Sequence, residues 1–115
     1  MEKPWGYELV WAETGDYAGK VLFVRTGESL SLQLHREKDE SWLVQSGRAT
    51  LELGHAVDAL TAAEIGPGAS FHFPPGTLHR LTALEDTTIV EVSTPQLDDV
   101  VRLEDRYGRE GTSEP

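Results

Sequence analysis

Apolar and polar residues alternate along most of this chain in short runs. The clearest is Leu30-Ser31-Leu32-Gln33-Leu34-His35, with leucines in one phase and Ser31, Gln33 and His35 in the other. A period of two sends successive side chains to opposite faces of a β-strand. Comparable runs predict strands over residues 7–11, 20–25, 29–35, 41–45, 49–53, 70–73, 78–83 and 88–93. Between them stand turn formers such as Thr14-Gly15-Asp16, Thr26-Gly27, Ser46-Gly47, Gly54, Gly66-Pro67-Gly68 and Pro74-Pro75-Gly76. Many short strands without an intervening helical pattern predict an all-β sandwich or barrel and argue against parallel βαβ units.

The C-terminal stretch has a different rhythm. Leu97, Val100, Val101 and Leu103 make a weak apolar stripe, which predicts one or two helical turns within residues 98–106. From Gly108 onward the chain is polar. One domain is expected over residues 1–109, with a flexible tail over 110–115.

At 115 residues the chain has the length of one domain with one core. No cysteine is present, which removes disulfides, zinc fingers and thiol nucleophiles. Ten Lys and Arg stand against 20 Asp and Glu, a net charge of −10. That balance excludes nucleic acid and anionic membrane as expected partners, since both are bound by neutralising phosphate with Lys and Arg. No run approaches the roughly 20 apolar residues of a membrane span, so a soluble cytoplasmic protein is the expectation. If the polar phase of residues 30–35 faces into a barrel, its leucine phase lies outside and needs a cover. A homodimer is expected on that ground.

The same run carries candidate chemistry. Gln33 and His35 share one face of a strand, and Glu40 follows a charged turn to open the next strand. Paired as a hairpin, those strands would bring Glu40 back beside His35. His79 follows the rigid turn Pro74-Pro75-Gly76-Thr77, which would set a further strand alongside. Two imidazoles, a carboxylate and an amide oxygen suit one divalent ion: Zn, Mn, Fe, Co, Ni or Cu. His55, beside a glycine turn, and His72, between Phe71 and Phe73, read as structural or surface residues.

Gly27, five residues, Gln33-Leu34-His35, four residues, Glu40, six residues and Gly47 resemble the first cupin motif, with Gln in place of the usual first His. Gly68, five residues, Pro74, one residue, Gly76, two residues and His79 resemble the second, although Ala83 stands where cupins carry Asn. The likeness implies a jelly-roll β-barrel that binds its metal through Gln33, His35, Glu40 and His79.

A narrower resemblance extends from Lys3 to Arg109. Lys3-Pro4-Trp5-Gly6-Tyr7-Glu8, the run from Gly27 to His35, Gly76-Thr77-Leu78-His79-Arg80-Leu81 and the run from Asp98 to Arg109 are similar to the isomerase domain of type II phosphomannose isomerases. That family implies metal-dependent aldose–ketose isomerisation of mannose 6-phosphate to fructose 6-phosphate, with a sugar phosphate as the small-molecule partner. Lys38 and Arg80 are then the expected catalytic cations; Lys38, Arg80 and Arg109 are the phosphate ligands, with Lys20 and Arg36 in reserve. Where the family shows His-His-Arg, this chain has Arg36, Glu37 and Lys38. No general base is assigned; Glu37 and Asp39 are candidates by position alone. Two other functions fit the same barrel: a different cupin metalloenzyme, such as an oxygenase or lyase, and a non-catalytic sugar-binding or regulatory module.

Overall fold

A computed structural model describes residues 1–108 and 110. Among the described residues there are eleven strands: β1 (Glu2–Lys3), β2 (Gly6–Glu13), β3 (Ala18–Val24), β4 (Leu32–Leu34), β5 (Glu40–Ser46), β6 (Ala49–Gly54), β7 (Thr61–Ile65), β8 (Ser70–Phe73), β9 (Leu78–Ala83), β10 (Thr87–Ser93) and β11 (Val101–Glu104). One 3-10 turn, Val57–Ala59, separates β6 from β7. Among the described residues no helix is long and apolar enough to cross a membrane.

The strands make two antiparallel sheets, ordered β1-β2-β3-β10-β5-β8 and β11-β4-β9-β6-β7. Neighbours in sequence, such as β4 and β5, fall in opposite sheets, which is the crossing pattern of a jelly-roll barrel. The inner phases meet in one core that includes Leu22, Val24, Trp42, Val44, Leu51, Phe73, Leu81 and Ile89. Truncating a fully enclosed member such as Leu81 to Ala would cost about 2–5 kcal/mol. Turn glycines set the strand ends. Gly47 (φ 94°) turns β5 into β6, and a Cβ there would stand 2.2 Å from the Asp86 carbonyl oxygen. Gly76 (φ 85°) donates its N–H to the His35 carbonyl at 2.8 Å, tying the turn before β9 to the end of β4.

The C-terminal stretch is not helical. Val101–Glu104 is a strand that lies along β4, pairing Val101 with Leu34 and Arg102 with Gln33. An unpaired edge of β4 would leave backbone groups without partners, and β-branched Val100 and Val101 suit a strand better than a helix. That tertiary demand overrides the weak helical stripe.

The alternating run at residues 29–35 is also shorter than its pattern. Only Leu32–Leu34 is strand, preceded by an isolated bridge between Ser29 and Thr82. Leu30 therefore packs in the main core, and Leu32 is 0% exposed. These leucines are covered by their own chain, so they require no second subunit. Two further strands carry little sequence signal: β1 is two residues long, and β7 is an edge strand with four of its five residues exposed.

Candidate metal centre

Gln33 on β4 and His79 on β9 are directly paired across the smaller sheet. Glu40 comes from elsewhere. It opens β5 in the larger sheet, where it pairs with Phe73 and Ser93, and reaches His35 and His79 across the barrel interior. The hairpin expected between the strands of His35 and Glu40 is therefore absent, because the turn through residues 36–39 carries the chain from one sheet to the other.

His35, Glu40 and His79 are buried, and their ligand atoms lie within 4.8 Å of one another. The Nε2 atoms of His35 and His79 each stand 3.1 Å from Glu40 Oε1. Their other ring nitrogens identify the tautomers. His79 Nδ1 faces the Thr77 carbonyl at 3.0 Å, and His35 Nδ1 faces the carbonyl of Asp99. A carbonyl only accepts, so each Nδ1 must donate, and a neutral ring then turns a lone pair on Nε2 towards the carboxylate. His79 Nε2 is buried without a hydrogen-bond partner, and Glu40 Oε2 meets the Lys38 ammonium at 3.2 Å. Electron-pair donors facing one another in this way are stable only around protons or a cation. Their 3.1 Å spacing suits an ion with bonds of about 2.1 Å, whose ligands stand about 3.0–3.4 Å apart.

The surroundings hold these rings in place. Phe73 stacks on His79 with centroids 4.5 Å apart, and Trp42 meets both rings edge-on. Gln33 donates from Nε2 to Ser31 Oγ at 3.2 Å and, half-buried, lines the same cavity. Asp99 supports the other wall: beyond its carbonyl contact to His35, its carboxylate accepts the backbone N–H groups of Arg36, Glu37 and Lys38 at 2.7–3.1 Å. The ligands fit a divalent ion, and each imidazole has the backing carbonyl that metal-bound histidines use.

The centre opens into a narrow cavity of about 60 Å³. Charged side chains line it in opposed sets: Lys20, Lys38 and Arg102 against Glu8, Glu40 and Glu91. Lys20 Nζ lies 3.2 Å from Glu8, while Lys38 Nζ lies 3.2 Å from Glu40 Oε2 and 3.5 Å from Glu91 Oε2. Burial acts to lower the Lys38 pKa, but the charges of Glu91 and Glu40 outweigh it and raise the value. Burial, then the neighbouring Glu40 carboxylate, pushes Glu91 up to about 7 against the pull of Lys38 and Lys20. Burial also acts to raise Glu40, yet contacts to His35 and His79 and the Lys38 charge hold it well below the usual carboxylate range.

The predicted cations separate. Lys38 is in the cavity, and the reserve Lys20 joins it. Arg80 follows His79 on β9, so alternation sends it to the outer face, where Glu52 and Glu104 bind it at 2.8–3.0 Å. Arg36 is exposed, and Arg109 lies outside the described residues. Glu37 points to solvent, and Asp39 contacts the exposed His72 at 2.6 Å. His55 is exposed as well. Sequence patterns missed Glu8, Glu91, Asp99 and Arg102. Glu91 had a legible signal, for it shares a strand phase with Ile89 and Ser93, and a charge in a buried phase marks a site. Arg102 was hidden by the helical stripe.

Comparison with known proteins decides the family. The mannose-6-phosphate isomerase C-terminal family matches residues 1–105. This chain belongs to that family. Mannose-1-phosphate guanylyltransferase ManC of Salmonella typhimurium is 35% identical over 114 residues, covering 93% of this chain and 22% of that protein. Xanthan biosynthesis protein XanB of Xanthomonas campestris is 36% identical over 114 residues, covering 93% of this chain and 23% of that protein. The chain thus spans less than a quarter of these relatives' length. Among solved structures, KdgF from Halomonas sp. superposes with a TM-score of 0.68 at 24% identity, over 79% of each chain. A double-stranded β-helix protein of Klebsiella pneumoniae gives 0.70 at 23%, over 86% of this chain and 84% of that one. The family member described here therefore has the double-stranded β-helix, or cupin, fold.

Proposed function

We infer that this chain is a metal-dependent isomerase of a hexose 6-phosphate, interconverting mannose 6-phosphate and fructose 6-phosphate. The observation that carries this reading is the cavity itself. Its three buried electron-pair donors share one space with three cations and with carboxylates outside the ligand set. Gln33, His35, Glu40 and His79 would hold the ion, which when bound polarises the sugar carbonyl and its neighbouring hydroxyl. Lys20, Lys38 and Arg102 supply positive charge for an anionic phosphate.

The base comes from the carboxylates left over. Glu8 is engaged by Lys20, whereas Glu91 takes the Trp42 indole N–H on Oε1 at 3.0 Å and turns Oε2 towards Lys38. Glu91 would take the proton from the second sugar carbon and return it to the first, with the Trp42 hydrogen bond fixing its orientation.

A coupled assay for fructose 6-phosphate, on protein stripped of metal and reloaded with Zn, Mn, Co, Ni or Fe in turn, tests this. Turnover that needs metal and is lost in His79→Ala is the expected result. Stoichiometric loading without turnover overturns it. That result would favour a sugar-binding module, the reading supported by Lys38 in place of the family's Arg, since an ammonium offers no bidentate fork.

A further inference from the structure

Two crossings join the sheets beside the metal centre. Residues 36–39 lead from β4 in the smaller sheet to β5 in the larger one, and residues 94–100 lead back from β10 to β11. β10 is the neighbour of β5 and β11 is the neighbour of β4, so the two crossings run side by side. The first carries the chemistry. His35 precedes it, Lys38 lies within it and Glu40 follows it. It belongs to no strand, so no ladder fixes its path. Burial does not fix it either, for Arg36 and Glu37 are exposed.

The second crossing holds the first. One carboxylate oxygen of Asp99 accepts the backbone N–H of Arg36 at 3.1 Å, and the other accepts those of Glu37 at 2.7 Å and Lys38 at 2.9 Å. Thr94 Oγ1 accepts the next N–H, from Asp39, at 3.0 Å, and the Thr94 N–H returns to the Asp39 carbonyl. Two side chains thus hold all four N–H groups of the turn, and three of the four fall to Asp99. Successive N–H groups aimed at one anion form a nest, and bonds to an ionised acceptor are roughly twice as strong as neutral ones. The same residue's carbonyl accepts the Nδ1–H of His35. Asp99 therefore fixes both the ring of one ligand and the backbone that spaces it from the next.

We propose, on the reading of His35, Glu40 and His79 as metal ligands, that Asp99 is a positioning residue for the centre. Its side chain sets the path from His35 to Glu40, and so the affinity and geometry with which a divalent ion is held. Ligands must be kept within about 0.5 Å of their working positions, and a turn freed of three bonds loses that precision. Asn at this position has nearly the same shape but only one accepting atom. Its amide nitrogen would turn a donor towards N–H groups that need an acceptor.

Cobalt(II), titrated alone into the metal-stripped chain, reads affinity by competition with a chelator and geometry by its visible absorption bands. Asp99→Asn should bind it about 10–100-fold more weakly, with altered bands. Asp98→Asn removes the same charge from the exposed neighbouring residue and should bind as the wild type does. Tyr107→Phe loosens the end of the chain, where the hydroxyl donates to Glu28 and accepts the Ser29 N–H. That variant should melt at a lower temperature with its cobalt affinity unchanged. Wild-type affinity and bands in Asp99→Asn overturn the proposal, as does an equal loss in Asp98→Asn or Tyr107→Phe. Coupling is reciprocal, so zinc loading of the wild-type chain should slow hydrogen exchange at the Arg36, Glu37 and Lys38 amides about tenfold. Exchange unchanged by loading overturns the proposal even where Asp99→Asn fails to fold. A wild-type chain that takes up neither metal overturns the ligand reading itself, and this inference with it.

Discussion

The two faces of the six-stranded sheet reverse the usual order of a soluble protein. Its inner face carries Glu8, Lys20, Glu40 and Glu91, all within the barrel, while its outer face presents Tyr7, Leu9, Trp11, Leu43 and Val92, with the Glu2–Arg25 ion pair at one edge. Buried charge is expensive unless it is paired, and exposed apolar surface is unfavourable unless it is covered. The inner charges are indeed paired, in the Glu8–Lys20 and Glu40–Lys38–Glu91 groups. The difference is one of pairing: the charges inside the barrel are matched with one another, whereas the apolar side chains outside it stand open to solvent.

The strongest test of the inner face removes its centre. Glu40→Gln keeps the shape but takes away the carboxylate that both imidazoles face; metal content measured on the purified variant should fall from one equivalent to near zero. Isomerase turnover should drop by at least a thousandfold with it. Breaking the charge pairing comes next. Lys38→Met leaves two carboxylates in the barrel without their ammonium and should destabilise the fold by about 3–5 kcal/mol in urea unfolding. Lys38→Met/Glu91→Leu should recover much of that loss, and a double variant no more stable than the single would refute the pairing argument. Lys38→Arg keeps the charge and adds a bidentate fork; kcat/KM for mannose 6-phosphate should rise about tenfold, or 1.4 kcal/mol.

The smallest effect belongs to the outer side of the other sheet. Hydrogen bonds from Arg80 hold the Glu52 pKa below its ordinary value. A depressed carboxylate contributes stability above its unfolded pKa and loses it as pH falls through the folded one. Wild-type stability should therefore decline by about 0.5–1 kcal/mol more than that of Arg80→Gln as pH drops below about 4.5. An equal decline in both would remove this pair from the comparison and leave the charged outer face without a measurable role.

Much of the site was legible in one dimension. Gln33, His35, Glu40 and His79 stand at spacings that resemble the cupin motifs, and the three buried members of that set do converge. Seven of the eight predicted strands carry through as runs within two or three residues of their bounds, because alternation and glycine punctuation are local signals. The eighth, at residues 29–35, contracts to Leu32–Leu34 once Leu30 joins the core. Lys38 was legible as a cation near the site, and Arg80 was not separable from it by charge alone. Its neighbour His79 points inward, so the pleat itself turns Arg80 out.

What the chain determined by itself is the set of residues that share a strand face and the donors able to hold an ion. Tertiary structure decided which face lies inside, that Glu40 reaches His35 from the opposite sheet, and that residues 101–104 become a strand carrying Arg102 to the cavity. The physical reason is that a period of two specifies relative sides only. Which side is buried depends on how strands distant in sequence close the barrel, and that is settled by the sum of their packing and hydrogen bonding.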